Sequence, residues 1–281
     1  MIRKIRLKKI LPSDNLSRVK ITHLKKWGRN IVSFFTERPE KFSFKSGQFV
    51  RICPESNLTL NTNPVWRAQS IASSPDDKFL EFLVVFGKTG DFSQLSANLK
   101  PGDYFLLEKN NYGYLTLDRF SKEGDLWLIA SGTGLAPFLS IIRDFSTLNK
   151  FNRVNLIHTV RNKDNLVYHN EIMQLKLAPN FFENKNKITY LPVVTREIVD
   201  VVGLIQGRKF EYISSGEHIT SLLKSGKLET VTNCKFTTKE SKVMICGNPQ
   251  MIKETRSHLK EIGFVTSKRN TPGQIAVENY W

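Results

Sequence analysis

The feature that most constrains this chain is a glycine-rich turn that joins an apolar run to a helical pattern. The segment Leu128–Pro137 reads LIASGTGLAP, and the apolar run Leu126–Ala130 leads into it. Gly132 and Gly134 would let backbone N–H groups face outward with no Cβ in the way, and Pro137 suits the first turn of a helix. The pattern predicts a strand, a loop of phosphate size and a helix whose N-terminus favours an anion.

This turn differs from the two best-known nucleotide-binding loops. Pro137 occupies the position of the last glycine in the dinucleotide-binding fingerprint, and the loop has no lysine of the kind that a P-loop carries. The turn therefore predicts an anion site and leaves the ligand open.

The pattern of residues 1–120 is typical of an antiparallel β-barrel. With 281 residues, 40% of them apolar, the chain is long enough for two domains, because single cores seldom grow beyond roughly 250 residues. Short β-like runs separated by turn signals at Lys45–Gly47, Ser73–Asp77 and Lys100–Asp103 indicate the barrel. The predicted strands are Arg18–Leu24, Ile31–Thr36, Gln48–Ile52, Val65–Ile71, Phe79–Val85 and Asp103–Leu107.

From Leu126 onward the pattern changes to strands that alternate with helices, which predicts a parallel, doubly wound α/β sheet. The predicted strands are Leu126–Ala130, Val154–Val160, Ile188–Val194, Lys242–Cys246 and, last, Gln274–Val277. The predicted helices are Phe138–Leu148, Val167–Leu177, Ile219–Ser225 and Pro249–Ile262. The change near Arg119–Asp125 places the boundary between a first domain of residues 1–122 and a second of residues 123–281.

The cysteine content argues against an iron–sulfur centre. Cys53, Cys234 and Cys246 are the only three cysteines, too few for four thiolate ligands and too far apart for a CxxC pair. The five histidines show no metal-ligand spacing, and no serine lies in a nucleophile elbow. Electron transfer by this chain would therefore use an organic cofactor.

The formal net charge of +16 predicts an anionic partner. The aromatic residues do not alternate with Lys and Arg along one element, so nucleic acid is disfavoured. No apolar stretch approaches the roughly 20 residues that span a bilayer, and Met1–Ile10 lacks the apolar core of a secretory signal. We expect a cytoplasmic protein without membrane insertion.

Four segments, in this order and spacing, resemble one protein family. They are Arg67–Ser70, Ser131–Pro137, Cys246–Pro249 and Val277–Trp281. Together they are similar to the ferredoxin/flavodoxin–NADP reductases, in particular the bacterial type, over the chain from about Gly47 to its end. The resemblance implies an FAD-binding barrel, an NADP-binding α/β domain, the redox ring of the flavin at their junction, and a C-terminal tail that returns to the flavin.

The resemblance also implies the flavin ligands. Arg67 would meet the FAD diphosphate, which suits a planar guanidinium fork, and Ser70 would lie near the flavin N5. Gln69 stands where the family pattern has a Tyr stacked on the flavin. An amide cannot reproduce that ring contact, worth about 0.5–1.5 kcal/mol beyond burial, so we expect FAD retention or the geometry of that face to differ. The other positions implied for FAD are Ala68, Leu83, Val84, Val85, Phe86, Asp91, Phe92, Ser93 and Thr133.

Three arginines resemble the clamp that holds the 2′-phosphate of NADP in this family. Arg161, Arg196 and Arg208 follow strand ends or lie in loops beyond them, where an open α/β sheet binds ligands. No acidic residue occupies the position expected to bind a bare ribose 2′-OH, which favours NADP over NAD. Asn165 stands where the family usually has an acidic residue. The remaining NADP positions implied by the resemblance are Val160, Thr195, Gly247, Asn248 and Pro249.

Four residues are implied for the transfer site itself. Ser70 would lie near the flavin, Cys246 would line the nicotinamide site without thiolate chemistry, and Glu278 would assist proton delivery. Tyr280 would lie close to the flavin face that nicotinamide must reach, and Trp281 would stack on the FAD adenine. Two aromatic residues at the end of the chain are unusual in water and are expected to cover a flat ligand.

The resemblance implies an FAD-dependent enzyme that moves hydride between NADPH and FAD and passes single electrons to or from a carrier. The positive charge predicts that this carrier is acidic, either flavodoxin or ferredoxin. One alternative is the NAD(P)H reductase component of an oxygenase. Another, made conceivable by Gln69, is a flavin-free nucleotide-binding scaffold protein.

Overall fold

The chain forms two compact units. The structure is a computed structural model that describes residues 15–28, 30–59, 63–87, 89–120, 123–175, 188–197, 203–205, 208–210, 213–214, 216–268 and 271–279. One unit comprises Met1–Gly113 and the other Tyr114–Trp281.

The division between the units falls earlier than the composition change at Arg119–Asp125. The ammonium of Lys150 donates hydrogen bonds to the backbone carbonyls of Leu117, at 2.8 Å, and Phe120, at 3.2 Å. These bonds join the segment before the first α/β strand to the second unit. The local sequence of this segment does not reveal these bonds, because Lys150 lies about thirty residues later in the chain.

The first unit is a six-stranded antiparallel sheet with the strand order β4-β3-β6-β1-β2-β5. An isolated bridge between Ile71 and Phe82 joins the two ends of the sheet, so the barrel is nearly closed. The strands are β1 Leu16–Lys26, β2 Ile31–Glu37, β3 Phe49–Pro54, β4 Arg67–Ser70, β5 Phe79–Val85 and β6 Tyr104–Glu108. The predicted antiparallel barrel is confirmed.

Inward-facing side chains fill the barrel. Val19 and Ile21 of β1 are buried while the residues beside them are exposed, as alternation along a strand requires. A short helix, α1 Asp91–Ala97, which the sequence did not predict, adds Phe92 to this core. Gly90 precedes α1 with φ of 117°, a conformation that favours glycine.

The second unit is a six-stranded parallel sheet with the order β12-β9-β8-β7-β13-β14, as the α/β prediction requires. The strands are β7 Asp125–Ser131, β8 Arg153–Val160, β9 Ile188–Val194, β12 Ile213–Ser214, β13 Ser241–Gly247 and β14 Ile275–Asn279; a separate hairpin comprises β10 Gly203–Ile205 and β11 Arg208–Phe210. Trp127 and Leu128, neighbours on β7 that face opposite ways, are both fully buried, so both faces of the sheet are covered.

The helices of this unit follow the predicted alternation, with one correction. They are α2 Ala136–Arg143, α3 Phe145–Lys150, α4 His169–Leu175, α5 Ile219–Lys224, α6 Lys227–Thr232 and α7 Pro249–Glu261. The prediction of a single helix over Phe138–Leu148 is wrong. Asp144 is extended, with ψ of 112°, and its carboxylate accepts the N–H of Ser146 at 3.0 Å, which ends α2 and caps α3. The sequence also did not predict α6.

Candidate nucleotide-binding site

The glycine-rich turn lies at the carboxyl end of β7, and its two glycines have different tasks. Gly132 has φ of 54°, in the left-handed region that favours glycine. A Cβ on Gly134 would lie 2.5 Å from the carbonyl oxygen of Cys246 and 2.7 Å from Cα of Gly247. The expectation that Gly134 serves to present an outward N–H is therefore incomplete, because Gly134 is buried and lets the turn touch the end of β13.

The end of β13 is shaped to meet the same turn. Gly247 has φ of 129°, and a Cβ there would lie 2.6 Å from the carbonyl oxygen of Ser131. The N–H of Asn248 donates to the Ser131 hydroxyl at 2.7 Å. The Asn248 side chain accepts from the N–H groups that open α7, at 2.9 and 3.2 Å, and Pro249 occupies its first turn. The sequence Asn248-Pro249 predicts an N-cap followed by a first-turn proline, and the structure confirms both. Two glycine-bearing strand ends thus lie side by side.

A histidine that sequence reasoning considered only as a metal ligand supports the turn. His158 of β8 is fully buried, and its Nε2 lies 3.1 Å from the carbonyl oxygen of Gly132. Burial lowers the pKa of His158 to about 4, so the ring is neutral at pH 7 and Nε2–H donates to the carbonyl. The available signal was a histidine within a predicted strand, directly after the apolar residues Leu156 and Ile157.

Arg161 and Arg196 lie side by side beyond the ends of β8 and β9. The N–H of Arg196 donates to the carbonyl of Arg161 at 2.9 Å, and the N–H of Thr195 donates to the carbonyl of Val160 at 2.9 Å. Both arginines are exposed, and in the described ranges neither guanidinium has a hydrogen-bond or ion-pair partner. Arg208 begins β11, and its side chain lies outside what the structure describes. Two cationic groups are therefore available at this edge.

Cys246 and Glu278 are neighbours on adjacent parallel strands, β13 and β14. Burial, and secondarily the Glu278 charge, holds the pKa of the fully buried Cys246 thiol well above its usual value, so it remains protonated. Burial raises the pKa of Glu278 to about 7, although a hydrogen bond from the Tyr114 backbone opposes the shift. The pair offers one inert thiol and one carboxyl group that changes charge near neutral pH.

Thr133 has an unused polar group inside the glycine-rich turn. Its side chain is 3% exposed, and within the described part of the chain its hydroxyl makes no hydrogen bond. A buried hydroxyl without a partner is costly, so this oxygen is suited to a ligand that is not part of the chain.

On the barrel, the segment Arg67–Ser70 forms β4 at the edge of the sheet. Arg67 and Ala68 are exposed, whereas Gln69 and Ser70 are buried. Gln69 pairs with the fully buried Val50, so its amide shares the face that Val50 presents to the barrel core. The Arg67 guanidinium donates to the Trp66 carbonyl at 3.2 Å and keeps donors available for an anion.

The residues at the end of β5 and in the segment that follows it differ in what they can offer a ligand. Leu83, Val84 and Phe92 are buried, and Val84 and Phe92 belong to the core cluster, so ligand contact there would come from the backbone. Val85 and Phe86 are half-buried and Asp91 is exposed. The Ser93 hydroxyl accepts the N–H of Gly87 at 3.1 Å, which fixes the turn before α1. Tyr280 and Trp281 lie outside the described residues.

The described part of the chain shows neither a metal-binding cluster nor a membrane-spanning helix. No group of three or more His, Cys, Asp or Glu side chains is arranged to hold a metal ion. None of the described helices has the length and apolar character needed to cross a membrane.

Comparison with known proteins identifies the family. The family described as "Oxidoreductase NAD-binding domain" matches residues 128–257. A flavodoxin/ferredoxin–NADP reductase from Buchnera aphidicola is 35% identical over 263 residues, which are 93% of this chain and 97% of the relative. A ferredoxin–NADP reductase from Pseudomonas aeruginosa is 33% identical over 269 residues, 94% of this chain and 97% of the relative.

The solved structures agree. A ferredoxin NADP+ reductase from Neisseria gonorrhoeae, crystallised with bound FAD and NADP, matches with a TM-score of 0.82 and 31% identity, over 96% of this chain and all of that one. With full-length similarity of this degree and the two-unit fold in common, this chain belongs to the ferredoxin/flavodoxin–NADP reductase family.

Proposed function

We propose that this protein is an FAD-dependent oxidoreductase that transfers hydride between NADPH and FAD and single electrons to or from ferredoxin or flavodoxin. The observation that carries the proposal is the pair of adjoining loops after β8 and β9. They present the exposed guanidiniums of Arg161 and Arg196 in a chain of this family.

The barrel is proposed to bind FAD through Arg67. Its exposed, planar fork is suited to two phosphate oxygens at once, and Ser70 at the end of the same strand would be the hydroxyl near the ring. When bound, FAD supplies the hydride and one-electron chemistry that no side chain of the protein can provide.

The α/β unit is proposed to bind NADP. Arg161, Arg196 and Arg208 would hold the 2′-phosphate, because a dianion is stabilised best by several guanidiniums. The backbone around Gly247 and the cap at Asn248 would approach the rest of the nucleotide, because they lie at the carboxyl end of β13, where an open α/β sheet binds its ligands.

Glu278 is proposed to move the proton that accompanies electron transfer. A carboxyl group with a pKa of about 7 donates and accepts a proton with nearly equal ease at neutral pH. Cys246, protonated and buried beside it, would exclude water and shape the site without forming a covalent bond.

The partner is proposed to be an acidic ferredoxin or flavodoxin, in line with the charge of +16. A cytoplasmic location is also proposed. All three cysteines, Cys53, Cys234 and Cys246, are free, as is usual in a reducing compartment.

A visible spectrum of the purified protein tests the flavin half of the proposal. We expect the absorption bands of bound FAD, and we expect Arg67→Ala to release FAD more readily than the matched control Arg51→Ala, an exposed arginine on the neighbouring strand. A colourless protein that cannot be reconstituted with FAD would instead favour the flavin-free scaffold.

Titration with nucleotides tests the other half. Each charge-assisted hydrogen bond contributes roughly 1.5–3 kcal/mol, so Arg196→Ala combined with Arg208→Ala should weaken NADPH binding by about a hundredfold or more and spare NADH. Equal losses of affinity for both nucleotides would show that these arginines do not bind the 2′-phosphate.

A further inference from the structure

The two arginine-bearing loops are held together by a carboxylate. Oε1 of Glu197 accepts a hydrogen bond from the Asn162 side-chain amide at 2.7 Å, and Oε2 accepts one from the backbone N–H of Lys163 at 2.9 Å. Glu197 directly follows Arg196, and Asn162 directly follows Arg161. The Glu197 carboxylate therefore links the loop that carries Arg196 to the loop that carries Arg161.

The backbone completes this connection. Arg196 donates its N–H to the carbonyl of Arg161 at 2.9 Å, and both the N–H and the hydroxyl of Thr195 donate to the carbonyl of Val160, at 2.9 and 3.2 Å. These bonds tie the loops at the strand ends, whereas Glu197 ties them one residue beyond the arginines. The two Cα positions from which the guanidiniums extend are thus fixed on both sides.

We propose that Glu197 is a positioning residue that holds Arg161 and Arg196 at the spacing needed to grip the 2′-phosphate of NADP, and that it thereby sets the preference for NADP over NAD. The inference rests on the proposed function. Loops whose backbone is already in place lose less conformational freedom on binding, so more of the interaction energy of their arginines appears as affinity.

The ionised state of Glu197 agrees with this role. Hydrogen bonds from Lys163 and Asn162 hold the pKa of the Glu197 carboxyl below its usual value. Bonds that a carboxylate accepts are about twice as strong as neutral ones, and the same carboxylate receives both.

Coulomb's law alone predicts the opposite effect of losing Glu197. A carboxylate near a phosphate site repels the ligand, so its removal should tighten NADP binding if the charge were all that mattered. Asp164 supplies a matched control, because it is an exposed carboxylate in the loop after β8 that takes no part in the bonds between the loops. Asp164→Asn removes the same charge and leaves those bonds intact.

The experiment is calorimetric titration of the holoprotein with NADP+, NAD+ and adenosine 2′-monophosphate. We expect Glu197→Ala to raise the Kd for NADP+ and for the monophosphate about tenfold, with NAD+ unchanged. Glu197→Gln should give a smaller loss, and Asp164→Asn no loss. The KM for NADPH should rise without a change in kcat, because the reacting atoms are untouched. Unchanged NADP+ affinity in Glu197→Ala, or an equal loss for NAD+, would overturn the proposal.

Two measurements separate this inference from the proposed function. If the unmodified protein binds NADP+ no better than NAD+, the assignment of NADP fails; if it prefers NADP+ and Glu197→Ala keeps that preference, only the role of Glu197 fails.

Two further experiments test the link between the loops. Amide exchange at Lys163 should accelerate in Glu197→Ala without any nucleotide. Adding Asn162→Ala to Glu197→Ala should weaken NADP+ binding little further. If the two substitutions weakened NADP+ binding additively, Glu197 and Asn162 would not act through one shared hydrogen bond.

Discussion

At the scale of single residues, the buried carboxyl group of Glu278 makes the stability of the fold depend on pH. Its carboxyl group lies on β14 in register with Cys246, and burial raises its pKa to about 7 from an ordinary value of 4.5. The folded protein therefore binds this proton more tightly than the unfolded chain does. The stabilisation that results is fully present below pH 4.5 and is lost as the pH rises through 7.

We predict that Glu278→Gln flattens this pH dependence. The difference in the free energy of unfolding between the two proteins should change between about pH 4.5 and 7, by at most about 3 kcal/mol, and should stay constant above that window. Urea unfolding at a series of pH values measures it. The control is Glu40→Gln, whose side chain is exposed and whose curve should run parallel to that of the unmodified protein. Parallel curves for Glu278→Gln would contradict the assigned pKa.

Single residues were predictable from sequence where their partners are local. Asn248 caps α7 through N–H groups only two and three residues ahead, so the pattern Asn-Pro before a helix was enough. Glu197 binds residues 34 and 35 positions away, and His158 supports a carbonyl 26 positions away. No local pattern encodes such bonds, because the fold brings the partners together.

At the scale of elements, the sequence predicted the strands well but missed a break within a helix. The apolar pattern predicted Phe79–Val85 and Ile188–Val194 with their observed bounds, because strands buried in a sheet appear in the sequence as short apolar runs. The break at Asp144 was missed because the apolar pattern continues on both sides of it. The order of the strands in each sheet was also beyond a sequence pattern, since pairing depends on partners far along the chain.

We predict that Gly134→Ala disrupts the contact between the turn after β7 and the end of β13. The new Cβ would meet the Cys246 carbonyl at 2.5 Å, and backbone cannot move aside as a flexible side chain can. Overpacking of this kind costs about 1–3 kcal/mol, and NADP affinity should fall with it.

The matched control is Gly132→Asn in the same turn. A Cβ at Gly132 has nothing within 4 Å, and asparagine tolerates its φ of +54° better than other residues do. Thermal unfolding and NADP titration of both variants check the prediction. If the two variants are equally stable, close approach is not the reason for glycine at position 134.

At the scale of the whole molecule, the net charge of +16 predicts long-range attraction to an acidic carrier. We predict that the rate of reduction of an acidic ferredoxin or flavodoxin falls steeply as salt rises, because exposed charges are screened beyond about 8 Å at physiological ionic strength. Stopped-flow kinetics across a salt series measures this. A small neutral quinone is the control acceptor, and its rate should stay nearly constant. A carrier rate that is independent of salt would exclude long-range attraction.

The contact between Ser131 and Asn248 joins residues 117 positions apart. Closing so long a loop costs entropy, whereas β8 is the next strand after β7 and can pair with it early, and β9 can then pair with β8. A nascent chain on the ribosome therefore completes the glycine-rich turn long before it makes the strand end that the turn must touch. The proposed nucleotide site is complete only when folding has finished, so we expect a partly synthesised chain neither to bind NADP nor to gain stability from it.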